Sequence, residues 1–172
     1  MVSFAWEVGT TMDVIVDGYN LIGAERGLGE ALEPKRNWLV QRLSAYRKIK
    51  QFNLTVVFDG WRSGAVEENL QIKDGVSVVY SRLGEKADAV IIRLARAKGS
   101  GSVVITSDRE IQKAVERFGA VAVFSDEFSR ILRSVDGGNA GELDEDGFDH
   151  LDSHRGSKSE RRRKEKLRKL RL

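Results

Sequence analysis

The sequence contains no cysteine and only one proline in 172 residues. The absence of cysteine excludes a disulfide framework, a thiolate zinc site and a thiol nucleophile, which leaves carboxylates as the obvious reactive groups. Long apolar runs are also missing, since no window approaches the roughly 18 consecutive apolar residues that a membrane span requires. Residues 1–11 lack the basic start and apolar centre of a secretory signal. We therefore expect a cytoplasmic protein with no membrane partner, preceded by an N-terminal extension at residues 1–11.

Charge is distributed unevenly along the chain. From Arg155 onward ten Lys or Arg residues face two acids, a net charge of +8, whereas residues 1–154 carry 19 basic and 24 acidic residues, a net charge of −5. Residues 135–154 contain seven acids, four glycines and no Lys or Arg, a composition that cannot build a core. The sequence thus predicts an acidic flexible linker at 135–154 and a basic tail at 155–172. Leu167 and Leu170 lie on one side of a predicted tail helix that is only weakly stable alone.

Residues 12–134 alternate between short β-rich runs and helical patterns, and their length suits one domain. The strands are predicted at 13–17, 54–59, 76–80, 102–108 and 120–124, and the helices at 34–51, 84–98, 109–118 and 126–134. Near-continuous Val and Ile runs are typical of strands that are covered on both faces, which indicates a parallel sheet. The pattern therefore predicts a three-layer α/β fold with a central, mainly parallel, five-stranded sheet.

Three of the predicted strands end at an aspartate: "VIVD" at Asp17, "VVFD" at Asp59 and "VITSD" at Asp108. In open parallel sheets, ligands bind beyond the carboxyl ends of the strands, where the strand order reverses. Asp88 adds a fourth carboxylate in the first turn of a predicted helix. Clustered carboxylates repel one another unless they are protonated or a divalent cation binds between them. An oxygen-only donor set favours Mg²⁺ or Mn²⁺ over zinc.

The alternative interpretation is structural, because an aspartate before Gly or Arg is also an ordinary turn or helix N-cap. Asp108 in "SDRE" is the strongest candidate for such a cap. Asp126 in "SDEF" is predicted to be an N-cap and stays outside the site. Four caps that coincide at one sheet edge are less frequent than a functional site, so the sequence favours a site.

Four motifs carry a resemblance to a known family: "VDGYNLI", "VVFDG", "GEKAD" and "VVITSDREIQ", in that order between about Met12 and Leu132. In this spacing they resemble the YacP-like branch of the NYN domains, which belong to the PIN-like metal-dependent ribonucleases. The resemblance implies a Rossmann-like PIN/NYN fold and an acidic, Mg²⁺-dependent site that cuts RNA. It matches Asp17, Asp59, Asp88 and Asp108 to the acidic cluster and Asn20 to the family's amide. The acidic linker and the basic tail lie outside it.

The chemistry implied is metal-assisted hydrolysis of RNA phosphodiester bonds, with Asp17, Asp88 and Asp108 as metal ligands and with Asp59 and Asn20 as further catalytic residues. Thr106 and Ser107 are hydroxyls at the same edge. Candidate RNA contacts are Tyr19 and Trp61 for base stacking, Arg62, Lys86 and Arg109 for phosphates, and Arg161, Arg162, Arg163 and Lys164 in the tail. Trp61 fits the core equally well. RNA is the expected partner, the ribosome a further candidate, and RNA decay or processing the expected role.

Two other functions remain open at this stage. A phospho-accepting or phosphatase domain also places aspartates at parallel strand ends, but the last predicted strand lacks the lysine of receiver domains. "DGYN" also lacks the second aspartate that haloacid-dehalogenase-like phosphatases carry two residues after the first. The other alternative is a catalytically inactive RNA-binding module, which a metal titration showing no site would favour.

Overall fold

The computed structural model describes residues 11–29, 31–60, 67–136 and 156–172. Six strands form one sheet: β1 (Asp13–Asp17), β2 (Asn53–Phe58), β3 (Asn69–Lys73), β4 (Val76–Tyr80), β5 (Ser102–Ile105) and β6 (Val121–Val123). The helices are α1 (Gly18–Arg26), α2 (Leu32–Lys50), α3 (Ala87–Lys98), α4 (Arg109–Glu116), α5 (Ser125–Val135) and α6 (Lys158–Leu170), with one 3₁₀ turn at Gly99–Gly101. None of the helices in these ranges is both long and apolar enough to cross a membrane.

The sheet order is β3-β4-β2-β1-β5-β6, and every neighbouring pair is parallel except β3 with β4. The chain starts at the central strand β1, builds outward through β2 and β4, and then returns to the other side of β1 for β5 and β6. The strand order therefore reverses between β1 and β5. The predicted three-layer, mainly parallel α/β fold is confirmed.

The expected number of five strands is wrong, because β3 adds a sixth at one edge of the sheet. β3 pairs antiparallel with β4 through a two-residue hairpin whose residues, Asp74 and Gly75, have φ of 49° and 82°. Such a turn matches the twist of paired strands. All five β3 residues are exposed. The strand buries neither face, and although Leu70 and Ile72 alternate with polar residues, it lacks the near-continuous Val and Ile run from which the other strands were predicted.

Side chains alternate between two apolar cores on opposite faces of the sheet, as the pleat of a strand requires. In β1, Val14 and Val16 belong to the larger core, which includes residues of α1, α2, α5 and α6. Ile15 points to the smaller core with residues of α3 and α4. The helices thus cover both faces, and only the strand ends are left for a site.

The predicted helices all form, with small shifts at their ends. α1 was not predicted, since it begins directly after β1 without an intervening turn. The prediction that Asp126 caps a helix is wrong: α5 begins one residue earlier, at Ser125, and its N-cap residue is Phe124. Asp126 instead lies in the first turn of α5, where its negative charge suits the helix dipole.

The basic C-terminal segment is not a free tail but a helix packed on the domain. α6 begins with a capping box between Ser157 and Glu160, and its two leucines are buried, Leu170 completely. The hydroxyl of Tyr46 in α2 donates to the backbone oxygen of Leu170 at 2.7 Å. The predicted apolar side of the helix is therefore real. The segment is held to the domain because this side meets the core around β6 and α2.

We expect Leu170→Ala to lower the free energy of unfolding by about 2–5 kcal/mol, the usual cost of emptying a buried leucine site. Leu172→Ala is the matched control, because Leu172 is 54% exposed. Urea denaturation of both variants measures the difference. Equal stabilities would show that α6 does not contribute to the folded domain.

Candidate active site

Four aspartates meet at the carboxyl edge of the parallel strands, beside the point where the strand order reverses. Asp17 is the last residue of β1, Asp59 follows β2, Asp108 precedes α4 after β5, and Asp88 lies in the first turn of α3. Their charges interact: Asp88 and Asp59 act on Asp17, while Asp108 and Asp59 act on Asp88. The structure thus brings together the four carboxylates that the sequence singled out.

Asp17 is the most deeply buried acid of the cluster. Burial raises the pKa of its carboxyl to about 7, and the negative charges of Asp88 and Asp59 add to the rise. A hydrogen bond from the Thr106 hydroxyl to Asp17 Oδ2, 3.0 Å long, lowers this pKa in part. Without a cation nearby, the Asp17 carboxylate is therefore in an unfavourable environment.

Gly18 explains how the chain turns so sharply after Asp17. A Cβ atom on Gly18 would overlap the ring of Phe58, so only glycine lets α1 begin directly at the end of β1. The next residue, Tyr19, is buried and packs its ring against Phe58 with centroids 5.0 Å apart. This placement argues against the predicted stacking of Tyr19 on an RNA base.

Arg36 is a cation beside this turn that sequence reasoning missed. Its guanidinium donates a 3.0 Å hydrogen bond to the Tyr19 hydroxyl. Arg36 lies in α2, far from Tyr19 in sequence, and no motif in "PKRNWL" marks it. Only the packing of α2 against α1 brings it here.

Asp59 and Asp88 sit together at the start of α3. Asp59 Oδ1 accepts a 2.6 Å hydrogen bond from the backbone N–H of Ala87, one of the unpaired donors of the helix end. Burial raises the pKa of Asp88, the charges of Asp108 and Asp59 raise it further, and Lys86 opposes them. Lys86 is therefore close enough to the cluster to act on it electrostatically.

Asp108 serves the helix that follows it. Its Oδ1 accepts from the backbone N–H groups of Glu110 at 2.9 Å and Ile111 at 3.5 Å, so Asp108 is the N-cap of α4. No described residue donates a hydrogen bond to its other oxygen. Asp108 therefore caps α4 with one carboxylate oxygen, and its other oxygen can face the acidic cluster. Arg109, the first residue of α4, is exposed beside it.

Asn20 is oriented by two neighbouring loops. Its Oδ1 accepts from the backbone N–H of Ser107 at 2.9 Å and from the Ser125 hydroxyl at 2.6 Å. A backbone N–H can only donate, so this assignment fixes which end of the amide is oxygen. Among the described residues Nδ2 has no hydrogen-bond partner. Asn20 is consequently set up as a donor rather than as an oxygen ligand.

Ser125 and Thr106, which hold Asn20 and Asp17, are both completely buried. Thr106 also accepts a 3.1 Å hydrogen bond from the N–H of Asp108, so it connects the ends of β1 and β5. Thr106 was among the hydroxyls expected at this edge from the sequence, but Ser125 was not. Ser125 could have been found from the sequence, because it is a hydroxyl residue just beyond the end of a strand, as Thr106 is.

The donor chemistry of this cluster fits a divalent cation, although its present geometry is open. Within the described ranges, no three acidic side chains are close enough to hold a metal ion as they stand. Mg²⁺ usually keeps several waters and takes only one or two carboxylates directly, so a closed carboxylate cage is not required. A bound cation would match the oxygen-only donors and would offset the burial and neighbouring negative charge that raise the pKa of Asp17 and of Asp88.

The remaining candidate RNA contacts fall into two groups. Trp61, Arg62 and residues 1–10 lie outside the described residues, as does the predicted linker from residue 137 onward, whereas Val135 ends α5 and Asp136 pairs with Arg42. In α6, Arg162 donates to the backbone oxygen of Gly119 at 2.5 Å and Arg163 pairs with Glu127. These two arginines are thus engaged with the domain, whereas Arg161 and Lys164 are exposed.

The sequence profile of the YacP-like NYN domain matches residues 14–172. The chain belongs to the YacP-like NYN domain family. Two crystal structures of Rae1 (YacP) from Bacillus subtilis share this fold. One has a TM-score of 0.61 and 29% identity over 72% of this chain and 75% of that chain. The other, a single-substitution mutant, has a TM-score of 0.62 and 27% identity over 74% and 78%. No curated protein matches the chain.

Membership of the NYN family confirms the resemblance read from the four motifs and places the chain among NYN/PIN-like nucleases, a fold of RNA-cleaving hydrolases. The profile match continues to Leu172, beyond the limit near Leu132 that the motifs indicated. That limit was too short, because the acidic linker and α6 have no motif of their own but belong to the matched region.

Proposed function

We propose that this NYN domain is a Mg²⁺-dependent endoribonuclease that hydrolyses internal phosphodiester bonds of RNA, with Mn²⁺ as a substitute ion. One observation carries the proposal: four carboxylates, two of which have a raised pKa, share the edge where the strand order reverses, in a fold of RNA-cleaving enzymes. Its cellular role would be RNA decay or processing, with the ribosome as a candidate partner.

Asp17, Asp88 and Asp108 would hold the cation directly or through water, the last with the oxygen that does not cap α4. When bound, the ion would supply activation of a water molecule and neutralisation of charge on the phosphate. Asp59 keeps one oxygen on the N–H of Ala87 and presents the other to water. Thr106 holds the Asp17 carboxylate in place.

In the proposed reaction, the water oxygen forms a bond to phosphorus while the bond from phosphorus to the 3′-oxygen breaks. The proton that the water gives up ends on the leaving 3′-oxygen, so the products carry a 5′-phosphate and a 3′-hydroxyl. The free Nδ2 of Asn20 donates to a phosphate oxygen. Lys86 and Arg109 attract the RNA backbone to an otherwise acidic site.

The test is incubation of the protein with mixed cellular RNA in Mg²⁺, in Mn²⁺ and in EDTA, followed by mapping of the new ends. We expect internal cuts with 5′-phosphate ends in either metal and none in EDTA. Cuts that persist in EDTA and leave 2′,3′-cyclic phosphates would contradict the proposal, since they indicate attack by the RNA's own 2′-hydroxyl. A protein that takes up no metal and cuts nothing would support the inactive RNA-binding module.

Ser125→Ala should lower kcat about tenfold, because loss of one hydrogen bond of about 1.4 kcal/mol frees the Asn20 amide to turn. Mg²⁺ affinity should stay unchanged, since Ser125 touches no carboxylate of the cluster. Ser134→Ala is the control, as this hydroxyl bonds only to its own helix. Steady-state kinetics and calorimetry measure the two effects. A parallel loss of Mg²⁺ affinity would instead indicate that the whole site had loosened.

A further inference from the structure

The two sides of α6 differ sharply in what they touch. Its inner side carries Leu167 and Leu170 into the core, and it directs Arg162 to Gly119 and Arg163 to Glu127. These interactions account for the attachment of the helix to the domain. They leave the outer side to solvent.

The outer side of α6 presents four cations in a row, which we call the outer stripe: Arg161, Lys164, Arg168 and, just past the helix end, Arg171. Their spacing of three and four residues places them on one face, over about 15 Å at 1.5 Å per residue. All four are exposed, and none of their side chains forms a hydrogen bond or ion pair with another described residue.

The two acids of α6 offset the charge of the outer stripe only in part. Glu160 is used in the capping box with Ser157, and Glu165 pairs with Lys169 at 3.0 Å while the charge of Arg168 also acts on it. The helix therefore keeps a concentrated positive charge on one face. The rest of the chain before it is net negative. A row of unpaired cations on a rigid helix is an arrangement that suits a polyanion.

Near both of its ends, α6 contacts the edge of the sheet opposite the acidic cluster. Arg162 donates to Gly119, which precedes the start of β6. The backbone of Arg171 accepts from Lys50, the last residue of α2 before the connection to β2. Both of these contacts lie at the amino edge of the parallel strands, whereas the aspartates lie at the carboxyl edge. Between them, Arg163 contacts Glu127 in the first turn of α5, beyond the end of β6. The parallel strands are three to six residues long and, at about 3.3 Å per residue, separate the two edges by roughly 15 Å on average.

We infer that the outer stripe is a second RNA-binding surface, which holds the phosphate backbone of a substrate whose other part lies in the acidic site. This inference rests on the proposed function, because it takes RNA as the substrate. Among the described residues, the cleavage site has four carboxylates against three nearby candidate cations, Lys86, Arg109 and Arg36, so it carries no excess of positive charge for a polyanion. Phosphate binding at a distance would supply affinity without reading sequence.

A substrate that uses both surfaces must be long enough to reach them. At a stacked spacing of about 3.4 Å per nucleotide, 15 Å requires four or five nucleotides in addition to those in the site. The nuclease should therefore prefer long RNA over short fragments. The preference should depend on the outer stripe.

The test replaces the outer stripe in the full-length protein by Arg161→Gln, Lys164→Gln, Arg168→Gln and Arg171→Gln. The control removes the same charge at four scattered exposed cations with no described partner: Lys48→Gln, Lys113→Gln, Arg117→Gln and Arg130→Gln. Fluorescence anisotropy in EDTA measures binding of an RNA of about 30 nucleotides over a salt series. Removing one cation that binds a phosphate of single-stranded RNA should flatten the slope of log K against log salt by about 0.7, hence by about 3 for the outer stripe.

We expect the flattened slope for the outer-stripe variant alone, with cleavage of an RNA of about five nucleotides unchanged in all three proteins. The inference would be overturned if the outer-stripe variant and the control variant had the same salt slope for RNA binding. It would also be overturned if the outer-stripe variant lost as much activity on the short RNA as on the long one. Equal slopes would indicate that the acidic linker, or nothing at all, faces the outer stripe. Because binding is measured without metal, the proposals fail separately: stripe-dependent binding without cleavage would refute only the proposed function.

Discussion

Asp17→Asn should abolish RNA cleavage, lowering the rate at least about 10³-fold, and should stabilise the metal-free protein at pH 8. An amide keeps the shape of the side chain and can still accept from Thr106, but it lacks the charge needed to hold a cation. Loss of the several kcal/mol that a bound metal contributes to transition-state stabilisation corresponds to a rate loss of about this size. Activity and stability should therefore change in opposite directions.

The stabilisation depends on pH in a direction fixed by the raised pKa of Asp17. Between its ordinary value of 3.8 and about 7, the folded protein binds a proton that the unfolded chain has released, so stability falls as pH rises through this window. The charged carboxyl costs most above pH 7. Removing it should gain at most about 4 kcal/mol there, since each tenfold change in proton affinity is worth about 1.4 kcal/mol. Below pH 4, the variant and the wild type should have similar stability.

Thermal unfolding at pH 4, 6 and 8 in EDTA, together with cleavage assays, tests this prediction. We expect the melting temperature of Asp17→Asn to exceed that of the wild type by an amount that grows with pH. A variant that is less stable at pH 8 but still cleaves RNA would show that Asp17 is a structural residue of the β1–α1 turn.

Asp88→Asn and Asp108→Asn should each weaken Mg²⁺ binding by about 100-fold. Loss of a residue that only supports a metal ligand already weakens metal affinity by up to about this factor. Asparagine is as good an N-cap as aspartate, so Asp108→Asn should leave α4 intact. Asp126→Asn is the control, because Asp126 is exposed in the first turn of α5 and has no place in the cluster. Each of the three variants removes one negative charge. A difference in Mg²⁺ affinity between them therefore reflects loss of a metal ligand and not the change in net charge.

Calorimetric titration with Mg²⁺ decides this point. We expect normal affinity for Asp126→Asn and strongly reduced affinity for the other two. The same affinity in all three variants would remove Asp88 and Asp108 from the metal site.

Most of the fold, and the assembly of the site, follow from the sequence for a simple physical reason. Strands buried on both faces must be apolar throughout, so an aspartate that ends such a run marks the edge of the sheet, as at Asp17 and Asp59. Parallel strands end at a common edge, which brings these carboxylates together without any knowledge of the loops. The cluster could therefore be predicted although its distances could not.

What the sequence did not show depends on packing between distant segments. β3 has no buried face and so no continuous apolar run, only the exposed alternation of Leu70 and Ile72 with polar residues. The leucines of α6 become informative only once the surface around β6 is known. Tyr19 looks like a stacking residue in "DGYN" until Phe58 is seen against its ring. The donor end of Asn20 is set by Ser107 and Ser125, 87 and 105 residues away.

Cleavage of a circular RNA by the wild type and by Asp17→Asn, in Mg²⁺ and in EDTA, tests the central claim most directly. A circle has no ends, so only hydrolysis of an internal bond can open it. We predict that the wild type with Mg²⁺ converts the circle to a linear RNA with a 5′-phosphate, and that neither the variant nor the EDTA reaction does so. Opening of the circle by Asp17→Asn at the wild-type rate would contradict the assignment of the reaction to this cluster of carboxylates.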